Sequence, residues 1–304
     1  MFNYLPLQWL FLFYFYSFFG WCFESTYVSF LEKKPVNRGF MRGPFLPLYG
    51  CGGVMMLVVS RPFFQNLILV YFAGCFGATL LEYITGVTME ALFKVRYWDY
   101  SDKFLNFKGH ICLESTLFWG VLTVLFTHFL QIPIEHMLLL IPYHVLSVVT
   151  LVVTFLIGCD FMVAFKTALD LRDVLIYMEK AKEEMQKMQK RLDTLITSTS
   201  EGVRGGIETR VDALSSTLES SFRKIKEKIN VNPSGYVNDV KDEIGELYAK
   251  YRVLMSNLTP RQIKGFFAWY REKTILGNPT MVSEKFKVNL EEVKEKVSSI
   301  RRKK

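Results

Sequence analysis

Four histidines and five cysteines in 304 residues leave little material for metal or redox chemistry. Cys22, Cys51, Cys75, Cys112 and Cys159 form no CxxC pair, and no histidine stands at ligand spacing from another donor. That pattern favours thiols packed among apolar side chains over a zinc site or a disulfide framework, and no cofactor is implied. No GxxxxGK[ST] loop occurs, which excludes nucleotide hydrolysis by the P-loop route. Serine and cysteine nucleophile triads cannot be assembled with any specificity. The first apolar run has no basic residues ahead of it and no small-residue cleavage site after it, so it reads as a retained span rather than a signal peptide.

Charge is scarce in one half of the chain. Residues 1–165 carry nine Lys+Arg and nine Asp+Glu, so the net charge of +8 resides wholly in the remainder. Two solvents are implied, lipid for the first half and water for the second. Apolar runs at 5–31, 67–93, 111–130 and 137–165 reach or approach the roughly 20 residues needed to cross a hydrocarbon core. A run at 46–60 is shorter and rich in glycine, and is expected to be a thin second span. The expected fold is all-α, a polytopic helical membrane bundle of about five spans over 1–165. A coiled-coil stalk over 166–200, a weaker helix and linker over 201–235, and a cytoplasmic helical region over 236–304 follow.

Orientation comes from the connections. Lys33, Lys34, Arg38 and Arg42 lie in the first and Lys94, Arg96, Lys103 and Lys108 in the third; the second has only Arg61, and the fourth has neither Lys nor Arg. Basic loops stay cytoplasmic, which places the amino terminus outside and the tail inside. The outgoing spans also share a pattern: a glycine (Gly20, Gly77), then a glutamate (Glu24, Glu82), a basic loop with Asn and Gly, and a return through Tyr49-Gly50 or Trp119-Gly120. This hints at a parallel internal repeat whose second copy has a loop about a dozen residues longer.

In the tail, Leu171, Met178, Met185 and Leu192 alternate with Val174, Ala181, Met188 and Leu195 at heptad a and d spacing. Self-association through this seam, or folding back on the other tail helices, would bury it. Further on, Pro260 opens an expected helix to residue 276 with a dense aromatic set (Phe266, Phe267, Trp269, Tyr270), and a last helix over 282–300 ends in RRKK.

Intramembrane ionisable groups are the strongest functional pointer, since each is costly in lipid and faces a cavity or a partner. Glu24, Glu82, Glu90 and Glu114, with His144 and Asp160, fall within the apolar runs, and no Lys or Arg does. Glu24, Glu90 and Glu114 lie toward the cytoplasmic ends and Glu82 near the midplane. The acids are therefore protonated, tied to hydroxyl groups of neighbouring helices, paired with loop residues Arg38 and Arg42 folded back into the bundle, or open to a cationic substrate or proton. Asn37, Arg38 and Arg42 sit in NRGFMRGPF, whose turn could cradle an anion in a nest of backbone amides. Tyr97, Trp98 and Tyr100 suit the headgroup belt.

The stretches GWCFES, NRGFMRGPFLPLYGCG, EYITGVTMEALF and YWDYSDKFLNFKGHICLESTLFWG resemble the bacterial membrane-protein family described as ABC-transporter type IV, or ABC transporter permease, common in Firmicutes, over about residues 10–165. The resemblance implies an integral protein of a bacterial plasma membrane and, if the label holds, a separate ATPase subunit. It supplies no established catalytic or binding residues. The sequence thus supports a permease subunit whose acids line a substrate or proton site, or a membrane-anchored scaffold or sensor whose tail oligomerises and recruits a partner. An intramembrane enzyme using Glu24 and Glu114 as acid and base lacks a nucleophile or metal signature. No nucleic-acid partner is implied.

Overall fold

The computed structural model describes residues 3–197, 210–231, 238–258 and 273–302. The described residues are helical with no strand, and two isolated bridges, Arg96 with Val282 and Phe107 with Ile111, are the only extended pairings among them. The helices are α1 (Pro6–Glu32), α2 (Pro47–Ser60), α3 (Leu67–Phe93), α4 (Leu113–Leu125), α5 (Gln131–Leu140), α6 (Tyr143–Thr197), α7 (Val211–Val231), α8 (Asn238–Leu258) and α9 (Lys287–Arg302). By length and composition α3, the α4–α5 segment and α6 qualify as membrane spans.

Local chemistry sets the ends. Proline occupies the first position of α1 and of α2, where its missing N–H costs nothing. Asn66 caps α3, its Oδ1 accepting from the amides of Ile68 and Leu69 at 3.1 and 3.2 Å. Both α1 and α3 end on a lysine in the left-handed region, Lys33 and Lys94. The apolar helix that begins at Leu113 runs past its expected end. A π turn at Phe126–Leu130 joins α4 to α5, and the chain breaks at Ile141-Pro142 instead of near Glu135. Polar Gln131 can stay in the helix because Tyr16 donates to its Oε1 and it donates to the Tyr4 hydroxyl at 2.9 Å.

The chain divides into two units, Met1–Asp170 with Trp269–Glu284, and Leu171–Ala268 with Lys285–Lys304. In the first, α1 with α2 and α3 with α4 form antiparallel hairpins that pack alike. A Cβ on Gly50 would strike Ser17 and the Phe13 carbonyl, and one on Gly120 would strike Cys75 and Tyr71, at matching places on α1 and α3. One contact is reversed in size: Tyr16 lies on Gly53 in the first hairpin, whereas Gly74 receives Thr123 in the second. The acids and bases keep the same spacing, Glu24, Glu32 and Arg38 against Glu82, Glu90 and Arg96. The packing of the two hairpins thus repeats, in a register that matches Gly20 to Ala78 and not to Gly77, whose Cβ would meet Val59 instead. Leu12, Tyr16, Leu57, Leu138 and Leu146 form a core joining α1, α2, α5 and α6. Much of the outer surface is apolar, with Phe30, Phe76, Phe155 and Met162 all at least 70% exposed, as lipid contact requires.

In the second unit Met178, Ala181, Met185, Met188 and Leu192 pack on Leu214, Leu218, Phe222, Ile225 and Tyr251. The heptad seam of α6 is thus covered by α7 and α8 of the same chain, the fold-back arrangement. The aromatic set at 266–270 and the linker at 198–209 lie outside the described residues, and the expected helix from Pro260 is described only from Lys273.

Candidate functional site

Two loops leave the carboxyl ends of α1 and α3, and a short segment from far along the chain, residues 273–284, is hydrogen-bonded to both. Arg38 is the centre of the first loop. Its side chain is about nine-tenths buried, and its Nε approaches Glu24 Oε1 at 3.3 Å. Nη1 donates to Asn278 Oδ1 at 3.1 Å and Nη2 to Thr280 Oγ1 at 3.0 Å. The other Glu24 oxygen accepts from the Tyr49 hydroxyl at 2.6 Å. A desolvated pair of this kind is tolerated because the remaining donors and acceptors are also used.

The 273–284 segment acts as a strap. Asn278 Nδ2 donates to the Gly39 carbonyl at 3.1 Å and Lys273 Nζ to that of Met41 at 2.8 Å and that of Arg42. Toward the second loop, Thr280 donates to the Tyr97 carbonyl at 3.1 Å, Ser283 to that of Lys94 at 2.6 Å, and Arg96 and Val282 exchange backbone bonds at 2.7 and 2.9 Å. Gly277 comes so close to Asn37 that a Cβ would stand 2.5 Å from its carbonyl oxygen. Burial pulls the Lys273 ammonium down to about 8, with Asp160 opposing the shift and Arg42 adding to it.

The four acids have separate hydrogen-bond and ion-pair partners. Glu82, almost fully buried, accepts from Tyr100 and Trp119 at 3.0 Å each and from Ser115 at 3.4 Å. Glu90 accepts from Arg96 Nε at 2.8 Å and lies 3.1 Å from His110 Nε2; burial and the Arg96 guanidinium hold that imidazole below its ordinary pKa. Glu114 is exposed and pairs with Lys103 at 3.0 Å. Arg38 folds back onto an acid as expected, and Arg42 enters this site through its carbonyl. Asn37 accepts from Trp21 Nε1 at 2.9 Å and donates to the Arg42 carbonyl at 3.1 Å. The anion at the NRGFMRGPF turn is the chain's own, since the Gly43 amide donates to Asp160 Oδ2 at 2.7 Å.

Arg96, His110, Tyr49, Trp119, Asn278 and Thr280 carry this network and were not singled out from the sequence as site residues. The shared spacing of Glu32 to Arg38 and Glu90 to Arg96 was the available signal for Arg96. For the strap there was none. Of the three aromatic residues expected at headgroup level, Tyr97 is buried, Trp98 donates to the His110 carbonyl at 3.0 Å, and Tyr100 donates to Glu82 at 3.0 Å.

A cavity of about 320 Å³ opens between α1, α2, α3 and α6 in the first unit. Glu24, Arg38 and Asn278 form its polar edge, and of the acids singled out from the sequence Glu24 is the one in its wall. Rings of Phe40, Phe93, Phe161 and Phe165 make up much of the rest, with neighbouring centroids 5.3–5.9 Å apart. No group of side chains among the described residues could hold a metal ion, and all five cysteines are free thiols.

Residues 11–165, half of the chain, match the sequence profile of a family described as "Putative ABC-transporter type IV". No curated protein and no solved structure matches the chain.

Proposed function

Since the chain belongs to the ABC-transporter type IV family, we propose that it is a permease-type subunit of a bacterial plasma-membrane transporter and that the cavity beside Glu24 and Arg38 holds its cargo. In this reading α1, α2, α3, the α4–α5 segment and α6 are five crossings, with the amino end outside and the tail in the cytoplasm. The strap supports that arrangement, because its bonds to both basic loops require them to lie on one face. Helix α2 has only 14 residues, about 21 Å at 1.5 Å per residue, and reaches the second surface through the turn at Arg61–Phe63. Glu82 and Glu90 serve as braces, each satisfied by donors of its own hairpin and loop. With no P-loop in the chain, energy would come from a separate ATPase.

The observation that carries the reading is the Glu24–Arg38 pair standing in the wall of an otherwise apolar cavity. Even with its hydrogen bonds made, such a pair costs desolvation that apolar packing of the same volume would avoid, and we read it as a group that faces cargo. The test is an untargeted comparison of cell and medium metabolites between a deletion strain and strains restored with wild type, Glu24→Gln or Arg38→Met. Wild type should restore the distribution of at least one compound, and both variants, present in the membrane at normal level, should not. Full restoration by both variants would refute the reading.

A second reading, a membrane-anchored scaffold or sensor, is favoured by one observation: the strap that grips both loops is flanked on each side by the tail unit. It predicts that a strap-releasing variant changes which cytoplasmic proteins copurify with the chain; an unchanged set would count against it.

A further inference from the structure

The loop between α3 and α4 is built so that its apolar side chains stay on the surface. It is about a dozen residues longer than its counterpart in the first hairpin, and Asn106 ties it together. The Nδ2 of that residue donates to the carbonyls of Ser101 at 2.9 Å and Lys103 at 3.0 Å, and its Oδ1 accepts from the Gly109 amide at 3.2 Å. The Tyr100 amide donates to the Gly109 carbonyl and the Phe107 amide to that of Ile111, both at 2.9 Å. Leu105 and Lys108 take the left-handed backbone that residues other than glycine rarely adopt. Within this frame Phe104, Leu105 and Phe107 are 77, 65 and 53% exposed. In water such a tip is unfavourable, and a strained, closed loop that holds three large apolar groups outward marks a contact surface.

The depth of the loop says what covers it. Leu67, Ile68 and Leu69 are exposed from the first turn of α3, so the lipid-facing layer begins there. Roughly 20 residues at about 1.5 Å each cross a hydrocarbon core of about 30 Å, which carries α3 through that layer near Val87. Phe107 lies about one turn inside that level, its ring centroid 5.5 Å from that of Tyr83. The His110 ring, 6.0 Å from the same tyrosine, keeps the end of the loop there as well. The loop has thus turned back alongside α3, which itself continues to Phe93.

We propose that Phe104, Leu105 and Phe107 form a membrane-surface anchor that enters the boundary between lipid headgroups and acyl chains. Lys103 and Lys108 flank the tip, and the Lys108 ammonium lies 5.8 Å over the Phe107 ring. Apolar groups beside long cationic side chains suit that boundary, where chains meet phosphates. A docking surface for a protein would have to stand clear of the bilayer, and this tip lies beside the crossing helix. The inference rests on α3 being a crossing and is independent of what the cavity beside Glu24 holds.

The test uses the full-length Phe104→Trp protein in nanodiscs, with emission read as the excess over wild type. Lipids brominated near the headgroup end of the acyl chain should quench that excess severalfold more than lipids brominated near the chain terminus. Aqueous acrylamide should quench it severalfold less than it quenches N-acetyltryptophanamide. Adding Asn106→Ala, which removes three loop bonds and no apolar group, should raise acrylamide quenching severalfold, and an unchanged value would overturn the part given to Asn106. Free access for acrylamide with no bromine quenching would place the tip in water and overturn the anchor. Shielding from both reagents would show that protein covers the tip and would overturn it equally. Neither result touches the cargo reading, which is decided by complementation with Glu24→Gln and Arg38→Met.

Discussion

Asn278 is the residue on which the strap can be tested most sharply. It is 1% exposed and joins three groups: it accepts from Arg38 Nη1 at 3.1 Å and donates to the carbonyls of Gly39 at 3.1 Å and Thr274 at 2.8 Å. Asn278→Ala removes all three bonds. The two neutral bonds are worth about 0.5–1.5 kcal/mol each and the one to the guanidinium about 1.5–3. The Thr274 bond lies inside the strap and persists when the strap lifts, so docking itself should lose about 3 kcal/mol, which at 1.4 kcal/mol per decade is about a hundredfold in the docking equilibrium. The Val282 amide reports this directly, because it donates to the Arg96 carbonyl at 2.9 Å only while the strap is seated. Hydrogen exchange of the detergent-solubilised protein should show its protection falling by about two orders of magnitude, with amides in the middle of α3 unchanged. A fall of less than about twofold would refute the assignment of Asn278 as the anchor and leave the Arg96–Val282 and Ser283–Lys94 bonds as sufficient.

Other outcomes follow from the same geometry. Gly50→Ala should destabilise the first hairpin by roughly 1–3 kcal/mol, since the new methyl meets the Phe13 carbonyl, whereas Gly52→Ala, with nothing within 4 Å, should be neutral or up to about 1 kcal/mol stabilising; thermal unfolding in one detergent separates the two. Lys273 titrates near 8 in the docked strap and near 10.5 when released, so between those values the released state binds more protons and docking strengthens as pH rises. Strap protection should therefore increase from pH 8 to 10 in wild type and stay flat in Lys273→Met. Leu214→Ala, which empties a fully buried position in the tail core, should cost about 2–5 kcal/mol and be seen as faster proteolysis of the tail.

The helices were legible because hydrophobic runs and proline or asparagine caps are local signals. The return of a loop arginine to Glu24 was legible from charge balance alone, since acids in an apolar run with no internal base must find a partner outside it. The choice between Arg38 and Arg42 was not, because it depends on which side chain the turn at Gly39 directs inward. The end of the apolar helix from Leu113 was misplaced since Gln131, Pro133, Glu135 and His136 look like a loop until Tyr16 and Tyr4 are seen to satisfy Gln131. The strap left no trace in the sequence: four of its side chains bind backbone carbonyls, which every residue carries, and its nearest partners are more than 170 positions away. The heptad pattern gave the buried face of α6 correctly, but such a face looks the same whether its cover comes from a second chain or from α7 and α8.

The reversed contact between the hairpins carries a constraint on how this sequence can drift. Tyr16 with Gly53 and Gly74 with Thr123 solve one spatial problem in opposite ways, with the bulk on the outgoing helix in one hairpin and on the returning helix in the other. Enlarging Gly53 alone or Gly74 alone drives two side chains into the same space, and shrinking Tyr16 alone leaves a void between α1 and α2. Each pair is therefore free to exchange size only as a pair. Among related chains, positions 16 and 53 should vary together, as should 74 and 123, while the two pairs remain independent of each other.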